Sequence, residues 1–219
     1  MKKISAVIFD MDGVLFDTER MCLDAWKMLA EREGIKNIEE ICTRCIGTNS
    51  QETERIIRDA YGERLDYDAL RHELNYIVNK LLKDNGMPIK SGAYEILEAL
   101  SQRNIRLAVA SSTKHSIVCD ELKSAKMYGY FEQIIGGDML RQSKPAPDIY
   151  LKACEALNVS PKKVAAIEDS YNGIRSAHSA ALTTIMVPDI VKPNEEILSL
   201  TDFCCESLNE AKNVILSIV

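Results

Sequence analysis

The sequence predicts an α/β protein: a Rossmann-like core, in which a parallel sheet carries helices on both faces, with an all-helical domain inserted after the first strand. Three observations carry this expectation. Continuous apolar runs such as Ala6-Val7-Ile8-Phe9 and Val164-Ala165-Ala166-Ile167 suit strands covered on both faces. From Met87-Pro88 onward such runs alternate with segments of helical period, as strand–helix–strand units do. Between Thr18 and Met87 there is helical periodicity and no strand signal. The chain therefore divides into an α/β core, 1–17 with 88–219, and a helical insertion, 18–87.

The first strand runs into Asp10-Met11-Asp12-Gly13, which places two acids at the rim of the sheet, where open α/β folds bind their ligands. Gly13 allows a sharp turn there, because it has no Cβ to forbid positive φ. In the insertion, Met21, Cys22, Ala25, Trp26, Leu29 and Ala30 recur at helical spacing, and Gly34 stops the run. Ser50 reads as the N-cap of a second helix that buries Ile56 and Ile57. Asp66 or Asp68 opens a third helix, which ends near Asn85-Gly86.

In the core, helices are expected over 93–102, 114–126, 147–157 (with Pro147 in the first turn) and 173–180. Strands are expected at 106–110, 131–135, 164–167 and 183–187, with one more short strand and a closing helix in the tail.

At 219 residues the chain can bury one substantial core with a small second domain. A net charge of −6 provides no basic field for nucleic acid or for an anionic membrane surface. No run approaches the ~20 apolar residues of a membrane span. Met1-Lys2-Lys3 leads straight into a strand with a functional end, so no cleavable leader is read there and cytoplasmic residence is expected. Seven cysteines without an export signal read as reduced thiols. Cys42 and Cys45 have metal-ligand spacing, but a structural zinc site needs a second pair and none exists. Cys204-Cys205 fits an ordinary late strand, and His72, His115 and His178 read as structural or surface residues.

Three buried strands end in polar clusters: Asp10/Asp12, Ser111/Ser112/Thr113 and Glu168/Asp169/Ser170. In a parallel sheet these ends share one edge, so four acids and the hydroxyls beside them face one crevice. Four carboxylates together call for a hard divalent cation with oxygen ligands, Mg²⁺ above all. Lys144, just before a helix, supplies the positive charge that an anionic substrate needs near those acids. Hydroxyls, a lysine and helix N-termini together describe a phosphate site.

Taken singly, each group has a plainer reading. Ser111-Ser112-Thr113 or Glu168-Asp169-Ser170 can cap a helix, and Lys144 can be a solvated charge. An Asp-x-Asp-Gly run can belong to a calcium loop, but an EF-hand sets its glycine two residues later and is flanked by helices. Only the joint pattern at successive strand ends removes these alternatives.

The same residues resemble the four motifs of the haloacid dehalogenase superfamily, in order and in structural context. Asp10-Met11-Asp12-Gly13-Val14 is similar to the first, Ala110-Ser111-Ser112 to the second, Lys144-Pro145 to the third, and Glu168-Asp169-Ser170 with Gly173 to the fourth. The insertion after Thr18 resembles the mobile cap of the subfamily that contains β-phosphoglucomutase and many small-metabolite phosphatases.

The resemblance implies that Asp10 is the nucleophile and forms an aspartyl phosphate, and that Asp12 is the general acid/base. It implies phosphoryl contacts from Ser111, Ser112 and Lys144, with Lys144 also balancing the charge on Asp10. Mg²⁺ would be held by Asp10, Asp12 (through its backbone carbonyl), Glu168 and Asp169, and Thr18 would be the hinge. A monomeric phosphatase of a sugar or polyol phosphate follows as the main expectation. The alternative is a phosphohexomutase. Family mutases carry a histidine where this chain has Cys22, a lysine before the cap glycine and an arginine three residues after it; around Gly47 this chain has Ile46 and Ser50. A catalytically silent phosphometabolite sensor is a third reading, although no member of the catalytic set is missing. Glu19, Arg20, Thr48, Asn49 and Arg71 are candidate substrate contacts from the insertion.

Overall fold

The computed structural model describes residues 3–62 and 65–219; the Met1-Lys2 part of the N-terminal reading lies outside the described residues. Six strands, β1 (Ala6–Phe9), β2 (Arg106–Ser111), β3 (Gln133–Gly136), β4 (Val164–Glu168), β5 (Thr183–Met186) and β6 (Phe203–Cys204), form one sheet in the order β3-β2-β1-β4-β5-β6. All pairings are parallel. The chain builds outward from β1 to β3, then crosses back to lay β4 on the other side of β1. That reversal is a topological switch point, and in such sheets the crevice opens there.

Alternation along each strand sends side chains to two separate cores. Val7, Phe9, Leu107, Val109 and Ile167 face the helices α5 (Ala93–Ser101), α6 (His115–Ser124) and α10 (Leu208–Ile218). Ala6, Ile8, Ala108, Ala110 and Ala166 face α7 (Asp148–Ala156) and α8 (Tyr171–Ser179). Small residues dominate this second face, which lets Tyr150 of α7 lie close to the sheet with no solvent exposure. A further short helix, α9 (Glu195–Ser199), adds Ile197 to a small cluster with Ile174 and Met186.

Residues 18–85 form α1 (Thr18–Glu33), α2 (Ile38–Thr43), α3 (Ser50–Tyr61) and α4 (Tyr67–Asn85). They carry an apolar cluster of their own around Trp26, Leu29, Ile57 and Tyr67. The segments that enter and leave this insertion lie side by side: Asp17 N–H donates to the Pro88 carbonyl (2.7 Å) and Lys90 N–H to the Leu15 carbonyl (3.0 Å). No helix among the described residues is long and apolar enough to cross a membrane.

Several boundaries move from the expectation for local reasons. Asn49, not Ser50, caps α3: its backbone is extended and its Oδ1 accepts from Glu52 N–H (2.9 Å), so Ser50 becomes the first helical residue. Asp66 rather than Asp68 caps α4, accepting from Ala69 N–H. Ser170 caps α8 through Gly173 N–H, so this helix starts at Tyr171 instead of at Gly173. Phe131 precedes β3 and does not join it; its ring stands edge-on to Phe9 at 6.1 Å. Burial of that aromatic pair, not sheet pairing, accounts for the apolar signal at Phe131.

Candidate active site

Strand register brings the acids together. Phe9 pairs with Val109 on one side and with Ile167 on the other, so the next residues, Asp10, Ala110 and Glu168, stand in one row across the sheet edge. Asp10, Glu168 and Asp169 are all buried and offer carboxylate oxygens within 4.8 Å of one another. Lys144 reaches them from the segment before α7. Its Nζ donates to Asp10 Oδ1 (2.5 Å), Glu168 Oε1 (2.5 Å) and the Ala110 carbonyl (3.1 Å). An ammonium has three donors, and here all three are used. Burial lowers the pKa of Lys144, but Asp10 and Glu168 outweigh it and the net shift is upward, which keeps the ammonium charged.

Glu168 is fully buried and also accepts from the Tyr150 hydroxyl (2.6 Å) and from Ser170 Oγ (3.1 Å). Burial, followed by the charges of Glu168 and Asp12, raises Asp10 well above the ordinary carboxylate range despite Lys144. Burial, then Asp10 and Glu168, does the same to Asp169.

Asp12 stands apart from this trio. Its Oδ1 accepts from Thr18 Oγ1 (2.5 Å), and its Oδ2 from Thr113 Oγ1 (3.1 Å) and Ser111 Oγ (3.4 Å). Its side chain is thus held by hydroxyls, and it lines a cavity of about 640 Å³ between the insertion and the sheet edge. Ser111 is fully buried and its Oγ accepts from Thr113 N–H (3.0 Å), whereas Ser112 and Thr113 line the cavity wall.

A divalent cation fits this donor set. Asp10, Glu168 and Asp169 face one ammonium, which leaves two negative charges in a buried site. Gly13 (φ +82°) has its bare Cα against Asp169, and a Cβ there would overlap that carboxylate, so only a glycine lets Asp169 pack on the turn that carries Asp10 and Asp12. All-oxygen ligation suits Mg²⁺.

The insertion contributes a second set of groups. Asn49 spans two roles, capping α3 with Oδ1 and donating from Nδ2 to Ser143 Oγ (2.6 Å), the residue before Lys144. Gly47 lies against Ser170, where a Cβ would collide. Arg20 and Lys90 each donate to the buried Asp189 carboxylate (2.9 Å), tying both ends of the insertion to the loop after β5. Arg71 lines the cavity and donates to the Tyr67 hydroxyl.

Cys22, Cys42 and Cys45 also line the cavity as free thiols. Burial raises Cys22 to about 12 and Cys45 to about 11, so they stay protonated and unreactive.

Glu19, half a turn into α1, is raised from an ordinary 4.5 to about 8 by burial and then by the Asp12 charge. Between those two values the folded chain holds a proton that the unfolded chain releases, so this group lowers stability as pH rises from 4.5 to about 8. Glu19→Gln is therefore expected to flatten the pH dependence of the urea midpoint across that window. Identical slopes in variant and parent would count against this account.

Tyr150, Ser143 and Asp189 escape local sequence reasoning, because their partners Glu168, Asn49 and Lys90 lie 18 to 99 positions away. Thr113 carried a signal, as the third hydroxyl of the cluster after β2.

Known proteins are similar to this chain in sequence and fold. A phosphorylated carbohydrates phosphatase of Thermotoga maritima is 34% identical over 186 residues, 83% of this chain and 84% of that protein. A β-phosphoglucomutase of Bacillus subtilis is 32% identical over 193 residues, 84% and 83% of the two chains. The crystal structure of CbbY from Rhodobacter sphaeroides in complex with phosphate superposes with a TM-score of 0.75 at 26% identity, covering 94% of this chain and 96% of that one. The model of the haloacid dehalogenase-like hydrolase family matches residues 7–187, which takes in all four acid, hydroxyl and lysine clusters of the cavity. With its parallel sheet, its helical insertion and this match, the chain belongs to the haloacid dehalogenase-like hydrolase family.

Proposed function

We propose that this chain is a Mg²⁺-dependent phosphatase of a sugar or polyol phosphate that works through a phosphoryl group carried on Asp10. It is a hydrolase of phosphoric monoesters. The observation that carries the mechanism is the division of labour between the two acids of the first strand end. Asp10 is fixed by Lys144 beside Asp169, while Asp12, lining the same cavity, is held by hydroxyls.

Asp10 attacks phosphorus, and the bond to the leaving oxygen breaks as Asp12 delivers a proton to it. Asp12 then takes a proton from water, whose oxygen attacks the phosphoryl group and frees Asp10 and inorganic phosphate. Lys144 holds Asp10 in place and offsets negative charge around the transferred group. Ser112, on the cavity wall, is better placed than the buried Ser111 to hydrogen-bond that group. Asp10, Asp169 and the Asp12 carbonyl would hold Mg²⁺, with Glu168, already saturated by Lys144, Tyr150 and Ser170, acting less directly. When bound, the cation supplies the charge that neutralises phosphoryl oxygens in a dry site.

Helices α1–α4 act as a cap. Asn49 on Ser143 and Arg20 on Asp189 hold it against the core, and Thr18 sits where the paired linkers would pivot.

The mutase reading is less well served. Cys22, Ile46 and Ser50 line the cavity where family mutases present a histidine, a lysine and an arginine. A panel of sugar and polyol phosphates with Mg²⁺ should release phosphate, EDTA should stop it, and added Mg²⁺ should restore it. Conversion of β-glucose 1-phosphate, primed with glucose 1,6-bisphosphate, to glucose 6-phosphate without comparable phosphate release would install the mutase instead. Binding of unaltered metabolites without release would leave the sensor.

A further inference from the structure

One polar group on the α7 side of the sheet has no use in the packing there. Tyr150 belongs to the apolar cluster that holds Ile8, Ala108, Ala110, Ile149 and Ala153, and no part of it is exposed. A phenylalanine would fill that space equally well, whereas a buried hydroxyl costs free energy unless it is hydrogen-bonded. Its partner is Glu168 Oε1 at 2.6 Å, and the same oxygen accepts from Lys144 Nζ at 2.5 Å. The Lys144 ammonium also stands over the Tyr150 ring, 5.3 Å from its centre. On the other side the Glu168 carboxylate is closed in by α8: Ser170 Oγ donates to Oε2, and a Cβ on Gly173 would overlap it.

Resting on that phosphatase reading, we infer that Tyr150 is a positioning residue for phosphoryl transfer: its hydroxyl shares Glu168 Oε1 with Lys144, which leaves the ammonium free to follow Asp10 and the phosphoryl group that Asp10 carries. Asp10 and Glu168 compete for one ammonium, and all three of its donors are in use. Glu168 does not depend on Lys144 alone. When Nζ draws away from Oε1, that oxygen keeps the Tyr150 hydroxyl and Oε2 keeps Ser170, so no oxygen of this buried carboxylate is left bare. Without the hydroxyl, Lys144 is the one donor left to Oε1 among the described residues, and any shift of the ammonium towards Asp10 strips a buried acceptor. That penalty arises only as negative charge gathers on the transferred group and draws Lys144 to it. It therefore falls on turnover and not on substrate binding.

The test measures kcat and KM for phosphate release with Mg²⁺ from p-nitrophenyl phosphate and from the best ester of the panel above, together with urea midpoints. It compares the parent with Tyr150→Phe, Glu168→Gln and the double variant, using single-turnover release where steady-state rates are low. Phenylalanine keeps the ring in its apolar cluster, so the fold is retained. Tyr150→Phe is expected to lower kcat roughly tenfold and to leave KM within about twofold of the parent. In the Glu168→Gln background a neutral amide no longer competes for the ammonium, and the same change should cost about twofold or less. An unchanged kcat in Tyr150→Phe, a loss carried by KM, or an equal loss in both backgrounds overturns the inference. A lowered urea midpoint with parental kcat makes the hydroxyl structural only and overturns it as well. No release by the parent from any ester overturns the phosphatase reading and this inference with it, whereas release insensitive to Tyr150→Phe overturns this inference alone.

Discussion

Asp10→Asn is expected to lower phosphate release by roughly 10⁴-fold or more, the scale on which loss of a covalent nucleophile acts. The same change should leave the fold at least as stable as the parent at neutral pH without divalent cation. Asp10 is buried between Glu168, Asp12 and Lys144, and its raised pKa means that its negative charge is held at a cost. An amide keeps the shape and removes the repulsion, and Lys144 retains Glu168 as its partner. Lost activity with retained stability is the pattern of a site strained for function. Urea unfolding alongside phosphate release measures both. Retention of most activity would mean that another residue attacks phosphorus, and a large loss of stability would mean that Asp10 is chiefly structural.

Lys144→Ala should fail on both counts. The ammonium is buried and is the shared partner of Asp10 and Glu168, so its removal strands two carboxyl groups out of water. Breaking one side of a buried ion pair typically costs about 3–5 kcal/mol, and the urea midpoint should fall accordingly. Protonation can relieve stranded carboxylates, so the deficit relative to the parent should shrink as pH drops from 8 towards 5. Turnover should fall by roughly 10²–10³-fold as well, since the positive charge beside the transferred group goes with it. Lys144→Arg should not rescue the enzyme: the Asp10, Glu168 and Ala110 acceptors converge on a single ammonium, a point-charge geometry that a planar fork does not reproduce. An unchanged midpoint in Lys144→Ala would show that the bridge contributes nothing to the fold.

Much of this was legible along the chain because it is periodic or terminal. Buried strands announce themselves by continuous apolar runs, and their polar ends fall at one edge once the sheet is parallel. The acids, hydroxyls and lysine of the site were therefore identifiable before any contact was known. The helical character of 18–85 was equally plain. Less legible were capping choices between neighbouring candidates. Asn49 and Ser50 have similar propensity, and the decision went to Asn49, which can also reach Ser143 across the cleft. Phe131 carried a strand-like apolar signal, but an edge-on contact with Phe9 was its real destination.

The sequence by itself determined the fold class, the strand ends that carry the acids and hydroxyls, and the family resemblance, because these depend on spacing along one segment at a time. Only the tertiary structure decided how the four acids are shared out. Register put Asp10 beside Glu168 and Asp169 under Lys144, while Thr18, Ser111 and Thr113 hold the Asp12 side chain by their hydroxyls. It also gave Glu168 its partner in Tyr150. Such pairings join residues far apart in sequence, and no local propensity encodes them; packing two domains and six strands around one edge does.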